Sequence, residues 1–117
     1  MAFKITSKQK GDIALVYVEG EIDMFTSPNL RDTLLPYFTS KTRAVVVDLS
    51  QVTFMDSSGI ATLVEGLQWS KKQKRQFILT GLGETVHNAL SLTKLDNVFS
   101  IESDTKQALA GLSGKKA

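Results

Sequence analysis

Apolar residues occur in short runs along the first half of the chain, and their spacing predicts strands. Residues 3–7 and 13–19 are strand-like runs, separated at residues 8–12 by a polar sequence with a glycine, which is typical of a turn. These segments predict an antiparallel hairpin. A third run at residues 43–49 contains three consecutive valines, as expected for a strand that is buried on both faces.

Helical spacing alternates with further strand-like runs in the rest of the chain. Ser27 followed by Pro28 is typical of a helix start. Short strands are predicted at residues 76–80 and around residues 98–101, where β-branched and aromatic residues cluster. The predicted helices run from Ser27 to near Ser40, from Ser58 to about Lys72, across a segment with Val86, Ala89 and Leu90, and from Ser103 or Asp104 through Leu109.

This order of elements predicts an α/β fold. An initial hairpin followed by βα units gives a mixed, largely parallel sheet, and right-handed crossovers place about four helices against it. We expect a single domain over residues 1–110. The remaining residues, 111–117, are rich in glycine and polar residues, so we expect a flexible tail there.

Composition narrows the possible functions. The 117 residues are 42% hydrophobic and 22% charged, which is ordinary for one soluble domain. The start of the chain has no signal-peptide pattern and no run is long enough to span a membrane, so a cytoplasmic protein is expected. With no cysteine and one histidine, neither a disulfide nor a histidine-based metal site is expected, and we predict no cofactor.

The net charge of +2 does not by itself indicate nucleic-acid binding. The basic cluster at residues 71–75 follows the long predicted helix, where cations favour the negative end of the helix dipole. No aromatic residues are interleaved with these cations, as a single-strand binding platform would require. We therefore predict no direct contact with nucleic acid.

The most informative polar sequence is Asp56-Ser57-Ser58-Gly59, between the valine-rich strand and the second helix. Either Asp56 or Ser57 is suited to cap the helix, because short polar side chains accept hydrogen bonds from its first N–H groups. The positive end of the helix dipole also tolerates a nearby anion. A phosphate on Ser58 would therefore leave this helix folded.

Three segments together, residues 20–23, 47–50 and 54–59, resemble the STAS domain of bacterial anti-sigma factor antagonists in their residues, order and spacing. The resemblance covers nearly the whole chain. It implies that Ser58 accepts phosphate from a serine kinase, that Asp23 is the acidic loop residue beside it, and that helices cover the sheet mainly on one side. The predicted partner-binding residues are those at the matched positions together with their immediate neighbour. They are Asp23, Met24, Asp56, Ser57, Ser58 and Gly59.

The same resemblance implies a regulatory protein that is not an enzyme. Its partner would be an anti-sigma factor with serine-kinase activity and a GHKL-type ATP site, and a PP2C-type phosphatase would remove the phosphate. The unmodified chain would bind the anti-sigma factor and release sigma factor. An alternative is a constitutive STAS subunit of a membrane-transporter or lipid-trafficking complex.

Other residues offer weaker functional hypotheses. Asp48 at the end of the valine strand suggests the phosphoacceptor of a receiver domain, but no adjacent acidic pair accompanies it, and we expect Asp48 to brace a turn at residues 50–53. A serine hydrolase would need a base for Ser58, and His87 is expected to be a partly exposed structural residue. Phe25 either forms an exposed protein-binding patch with Met24 or packs on Leu30 at the start of the first helix.

Overall fold

A computed structural model of the protein describes residues 3–39 and 41–113. These residues form one mixed sheet of five strands, in the order in which the strands follow one another along the chain. The first pair is antiparallel, and each later pair is parallel. The strands are β1 (Lys4–Lys10), β2 (Ile13–Ile22), β3 (Ala44–Met55), β4 (Gln76–Thr80) and β5 (Ser100–Glu102).

In the described residues, three α-helices and a short 3₁₀ helix connect the parallel strands, and a fourth α-helix follows β5. Pro28 occupies the first turn of the first helix, where its missing N–H group costs nothing. A 3₁₀ helix at Leu35–Thr39 continues directly from that helix. The α-helices are α1 (Ser27–Leu34), α2 (Ser57–Lys72), α3 (Glu84–Leu92) and α4 (Thr105–Ser113).

The alternation of side chains along the strands produces two apolar layers. On one face, Val45 and Val47 of β3 belong to the main core with residues of α1, α2 and α3. On the other face, Ala44 and Val46 pack with Ala108 and Leu112 of α4. Three helices therefore cover one face and one helix covers the other. The α/β fold, the hairpin and the helix count that the sequence predicts are confirmed.

The structure corrects the predicted turn after Asp48. Residues 50–53 continue β3 as a strand, because the last part of β2 pairs with them and with the residues that follow. Gly20 lies opposite Val52, and Ile22 lies opposite Met55. β3 is therefore longer than the valine run alone indicates, and it extends well beyond the end of β4.

The C-terminal ends of the first and last helices differ from those predicted from the sequence. The first α-helix ends at Leu34 and continues as the 3₁₀ helix, and its predicted end at Ser40 lies outside the described residues. The last helix extends beyond Leu109 to Ser113, because Leu112 is buried against the sheet. Residues 111–113 are thus helical where a tail was predicted. The rest of that predicted tail lies outside the described residues.

Candidate functional site

The candidate site lies where β2 and β3 end side by side. Ile22 and Met55 are the paired last residues of these parallel strands, so Asp23 and Asp56 leave the sheet at the same edge. The N–H of Asp56 donates to the carbonyl of Ile22 over 3.0 Å, which ties the two strand ends together. The fold therefore brings the loop after β2 next to the start of α2.

Asp56 is the N-cap of α2, with an extended backbone at φ −96° and ψ −172°. Its Oδ1 accepts from the backbone N–H of Ser58 at 2.9 Å and of Gly59 at 3.3 Å. The Ser58 hydroxyl donates to the same oxygen over 2.6 Å. Of the two capping candidates from the sequence, Asp56 is the cap, and its carboxylate also orients the hydroxyl of Ser58.

The surroundings of Asp56 hold it ionised. The hydrogen bond from the Ser58 hydroxyl is the largest effect, and it lowers the pKa of the Asp56 carboxyl below its ordinary value. Partial burial opposes this change, and the backbone N–H groups of Gly59, Ser58 and Met24 lower the pKa further. The last of these groups belongs to the loop after β2. The Asp56 carboxylate is thus bonded to Ser58 and lies at the strand end next to that loop.

Asp23 organises its own loop by a reciprocal pair of hydrogen bonds with Thr26. Its N–H donates to Thr26 Oγ1 over 2.9 Å, and its Oδ1 accepts from the N–H of Thr26 at 3.1 Å. Oδ1 also accepts from the N–H of Phe25 at 2.9 Å. Thr26 was not among the predicted site residues, although an acidic residue three positions before a threonine resembles a capping box in reverse order.

The side chains of this loop and of the start of α2 differ widely in exposure. Met24 and Phe25 are 68% and 82% exposed, so Phe25 does not pack on the fully buried Leu30, and that prediction is wrong. Ser57 is exposed and Ser58 is half-buried. Gly59 is buried, and a Cβ there would lie 2.6 Å from Met55 Cγ and 2.7 Å from Ile22 Cγ2. Gly59 lets α2 approach the strand ends closely.

Comparison with known proteins places this arrangement in a family. The family model of the STAS domain matches residues 4–108. The chain belongs to the STAS domain family. The STAS match covers both strand ends, the loop after β2 and the whole of α2.

Curated relatives and solved structures agree with this assignment. The anti-sigma-B factor antagonist of Staphylococcus epidermidis is 27% identical over 106 residues, which cover 91% of this chain and 98% of the relative. The one from Listeria monocytogenes is 26% identical over 87 residues, covering 74% of this chain and 76% of that protein.

Two solved structures show the same fold. An anti-sigma factor antagonist from Mycobacterium paratuberculosis has a TM-score of 0.84 and 27% sequence identity, with 94% of this chain and 93% of that chain covered. The unphosphorylated anti-sigma factor antagonist SpoIIAA has a TM-score of 0.80 and 17% identity, with 97% of each chain covered, and shows the fold alone.

The STAS structure gives Asp48 a structural role. Its Oδ1 accepts from the N–H of Ser50 at 2.9 Å and from the Ser50 hydroxyl at 2.6 Å, and its Oδ2 accepts from Thr105 Oγ1 at 2.8 Å. Both oxygens are therefore engaged, which joins β3 to the start of α4. Among residues 3–39 and 41–113, no group of three or more His, Cys, Asp or Glu side chains is arranged to hold a metal ion. A receiver-type site, which needs several acids around a metal, is not supported.

The hydrogen-bond partner of the Ser58 hydroxyl does not favour a hydrolase. That partner is Asp56, and the lowered pKa of its carboxyl makes the carboxylate a weaker base than an ordinary aspartate. His87 is exposed on α3.

A cleft of about 340 Å³ opens at the opposite edge of the sheet, beside Asp12 and Arg43. In the described part of the chain, no helix is long and apolar enough to cross a membrane.

Asp56→Asn is expected to destabilise the STAS domain by about 0.3–1 kcal/mol at neutral pH, because asparagine keeps the cap but loses the charge at the helix N-terminus. A lowered folded-state pKa means that the stabilising effect of the carboxylate is present above the unfolded-state pKa. The effect is lost as the pH falls through the folded-state pKa. Denaturant unfolding of both proteins from about pH 7 to pH 2 measures this difference.

The Ser58→Ala variant is the control for this pH dependence. Removing the Ser58 hydroxyl removes the largest cause of the lowered pKa, so the transition should move to higher pH. A difference between wild type and Asp56→Asn that stays constant over the whole pH range would contradict the role assigned to the Asp56 carboxylate.

Proposed function

We propose that this STAS domain is an anti-sigma factor antagonist that is regulated by phosphorylation of Ser58. The observation that carries the proposal is the position of the half-buried Ser58 hydroxyl beside the strand ends, held by an ionised aspartate at a helix N-terminus. Its relatives and structural neighbours are anti-sigma factor antagonists, which supports this role. The protein then acts through its binding surface and not through catalysis.

In this proposal the partner is an anti-sigma factor with serine-kinase activity, of the GHKL type. It binds the surface formed by the loop after β2 and the start of α2. The unmodified protein occupies the anti-sigma factor and thereby releases sigma factor in the cytoplasm. A PP2C-type phosphatase restores the unmodified state. The proposed surface consists of Asp23, Met24, Asp56, Ser57 and Ser58, with Gly59 beneath it.

Phosphorylation of Ser58 adds about −1.5 to −2 charges at neutral pH. The phosphate cannot keep the 2.6 Å hydrogen bond in which the Ser58 hydroxyl now donates to Asp56, and it repels that carboxylate. Burying such a group in an interface costs desolvation and like-charge repulsion. The amino-terminal end of α2 tolerates the anion, so the fold persists. The phosphate therefore lowers the affinity for the partner.

The test begins with intact-mass measurement and phosphosite mapping of the protein isolated from its native cell. Affinity capture then compares wild type with Ser58→Ala and Ser58→Asp. We expect a phosphate at Ser58, a serine kinase captured by wild type and Ser58→Ala, and binding at least about tenfold weaker for Ser58→Asp. This loss corresponds to about 1.4 kcal/mol.

Ser50→Asp is a closely matched control. Ser50 donates to Asp48 with the same distances that Ser58 makes to Asp56, 2.9 Å from N and 2.6 Å from Oγ. It lies roughly 20 Å from Asp56 along the extended strand. Ser50→Asp should retain the kinase. An absence of phosphate, with partners indifferent to both Ser58 substitutions, would contradict the proposal and favour a constitutive subunit of a transporter or lipid-trafficking complex.

A further inference from the structure

Two large apolar side chains stand exposed beside Ser58. Met24 and Phe25 are 68% and 82% exposed, in the loop that directly follows β2. Single exposed apolar residues are common on protein surfaces, whereas contiguous exposed apolar side chains mark interaction surfaces. The following argument rests on the proposed function, because the partner is the kinase that acts on Ser58.

Hydrogen bonds hold the backbone of the loop that carries these side chains. Thr26 Oγ1 donates to the carbonyl of Glu21 over 2.9 Å, and the N–H of Ser27 donates to the carbonyl of Asp23 over 2.8 Å. With the bonds of the Asp23 carboxylate described above, these contacts hold the backbone on both sides of Phe25. A loop whose backbone is already ordered loses less conformational entropy on binding than a flexible one. The exposed ring is thus prepared for insertion into a partner.

The same loop is joined to the phosphorylation site. Ile22, the last residue before that loop, accepts from the N–H of Asp56 over 3.0 Å, and the Asp56 carboxylate binds the Ser58 hydroxyl. A protein that reaches Ser58 would therefore meet the loop after β2. The apolar pair and the regulatory hydroxyl belong to one continuous surface.

Charge around this surface indicates the chemistry of its partner. Glu21, Asp23 and Asp56 lie at the ends of β2 and β3, where the loop that carries the apolar pair begins. The opposite edge of the sheet is basic, although Asp12 is paired there with Arg43 at 2.8 Å. Its cations are Lys10, Arg43, Lys71, Lys72, Lys74 and Arg75. A chain with a net charge of +2 thus has an acidic rim around Phe25.

We propose that Phe25 is the hydrophobic anchor of the kinase interface and enters an apolar pocket of the kinase whose rim carries Lys or Arg side chains. Met24 lies beside the anchor and extends the apolar contact. Aromatic residues are enriched at the centre of interfaces, where a few residues provide most of the binding energy. The acidic rim orients the complex and makes association sensitive to ionic strength.

Phe25→Ala is expected to weaken binding of the kinase recovered by the wild-type protein by at least about tenfold, a loss that falls in the usual range for an anchor residue. Phe25→Tyr should keep most of the affinity, because it retains the ring. Leu92→Ala is the matched control, since Leu92 is 84% exposed at the end of α3 and should change the affinity less than about twofold. Titration calorimetry of each purified variant measures the dissociation constants.

Two further measurements define the outcome. Raising the salt concentration should weaken the wild-type complex, and the kinase should phosphorylate Phe25→Ala with a raised KM. If Phe25→Ala binds as tightly as wild type while Ser58→Asp still loses the kinase, the anchor is overturned and the proposed function stands. If the wild-type protein recovers no kinase and carries no phosphate, both proposals are overturned.

Discussion

Phe38→Ala is expected to lower the free energy of unfolding by about 3–5 kcal/mol, the usual cost of removing a fully buried aromatic ring. Phe38 is 1% exposed, and its ring centroid lies 5.7 Å from that of Trp69 and 5.8 Å from that of Phe77. These rings belong to the 3₁₀ helix, α2 and β4, which meet at this point of the main core. The substitution leaves a cavity and removes both ring contacts.

Denaturant unfolding followed by circular dichroism tests this prediction. The fluorescence of Trp69, the single tryptophan of the chain, provides a second probe of the same region. Phe25→Ala is the matched control, because the same atoms are removed from a ring that is 82% exposed. It should change the free energy of unfolding by less than about 0.5 kcal/mol. Equal losses in the two variants would contradict the core assigned to Phe38.

Local sequence was sufficient where one residue type has one dominant structural use. Three consecutive valines predict a strand with both faces covered, and Val45, Val46 and Val47 are divided between the two apolar layers of the fold. Similarly, a proline after Ser27 marks the start of α1. These features depend on backbone preference and on the spacing of side chains, which a single segment of sequence contains.

Local sequence was insufficient where a distant segment decides the structure. Ser50, Gln51 and Thr53 are polar and favour a turn over residues 50–53, but pairing with β2 makes this segment a strand whose polar side chains remain accessible. In the same way, Leu112 is preceded by glycine in a polar segment, and its burial against the sheet extends α4. The composition of a local segment does not show which distant strand or sheet face that segment will contact.

The candidate site was also predicted only in part from the sequence. Residue types narrowed the cap of α2 to Asp56 or Ser57, and the resemblance to STAS domains implied that Asp23 and Ser58 lie near each other. Only the structure shows that Asp56 carries the hydrogen bonds to Ser58 and that Asp23 bonds to its own loop. Phe25 had two interpretations of equal weight from sequence. Its exposure decides between them, because Leu30 is buried without it.

Gly59→Ala is expected to destabilise the protein by about 1–3 kcal/mol, the usual cost of overpacking a close contact. The new Cβ would lie 2.6 Å from Met55 Cγ and 2.7 Å from Ile22 Cγ2, well inside normal van der Waals contact. Both contacted residues are buried, at 4% and 0% exposed, so α2 or the strand ends must shift. The shift outweighs the better helix propensity of alanine, which is worth up to about 1 kcal/mol.

Gly111→Ala is the control for this prediction, because it makes the same change within α4, where nothing outside the neighbouring backbone of that helix lies within 4 Å of the new Cβ. Helix propensity should then make Gly111→Ala neutral or stabilising by up to about 1 kcal/mol. Equilibrium unfolding of both variants measures the opposite signs of the two changes in stability, and a Gly59→Ala protein as stable as Gly111→Ala would contradict the close packing at the site.

Because α2 carries Ser58 and contacts Ile22 and Met55 at Gly59, a shift of α2 moves the Ser58 hydroxyl relative to the loop after β2. The same variant should therefore weaken partner binding although no polar residue of the site is substituted.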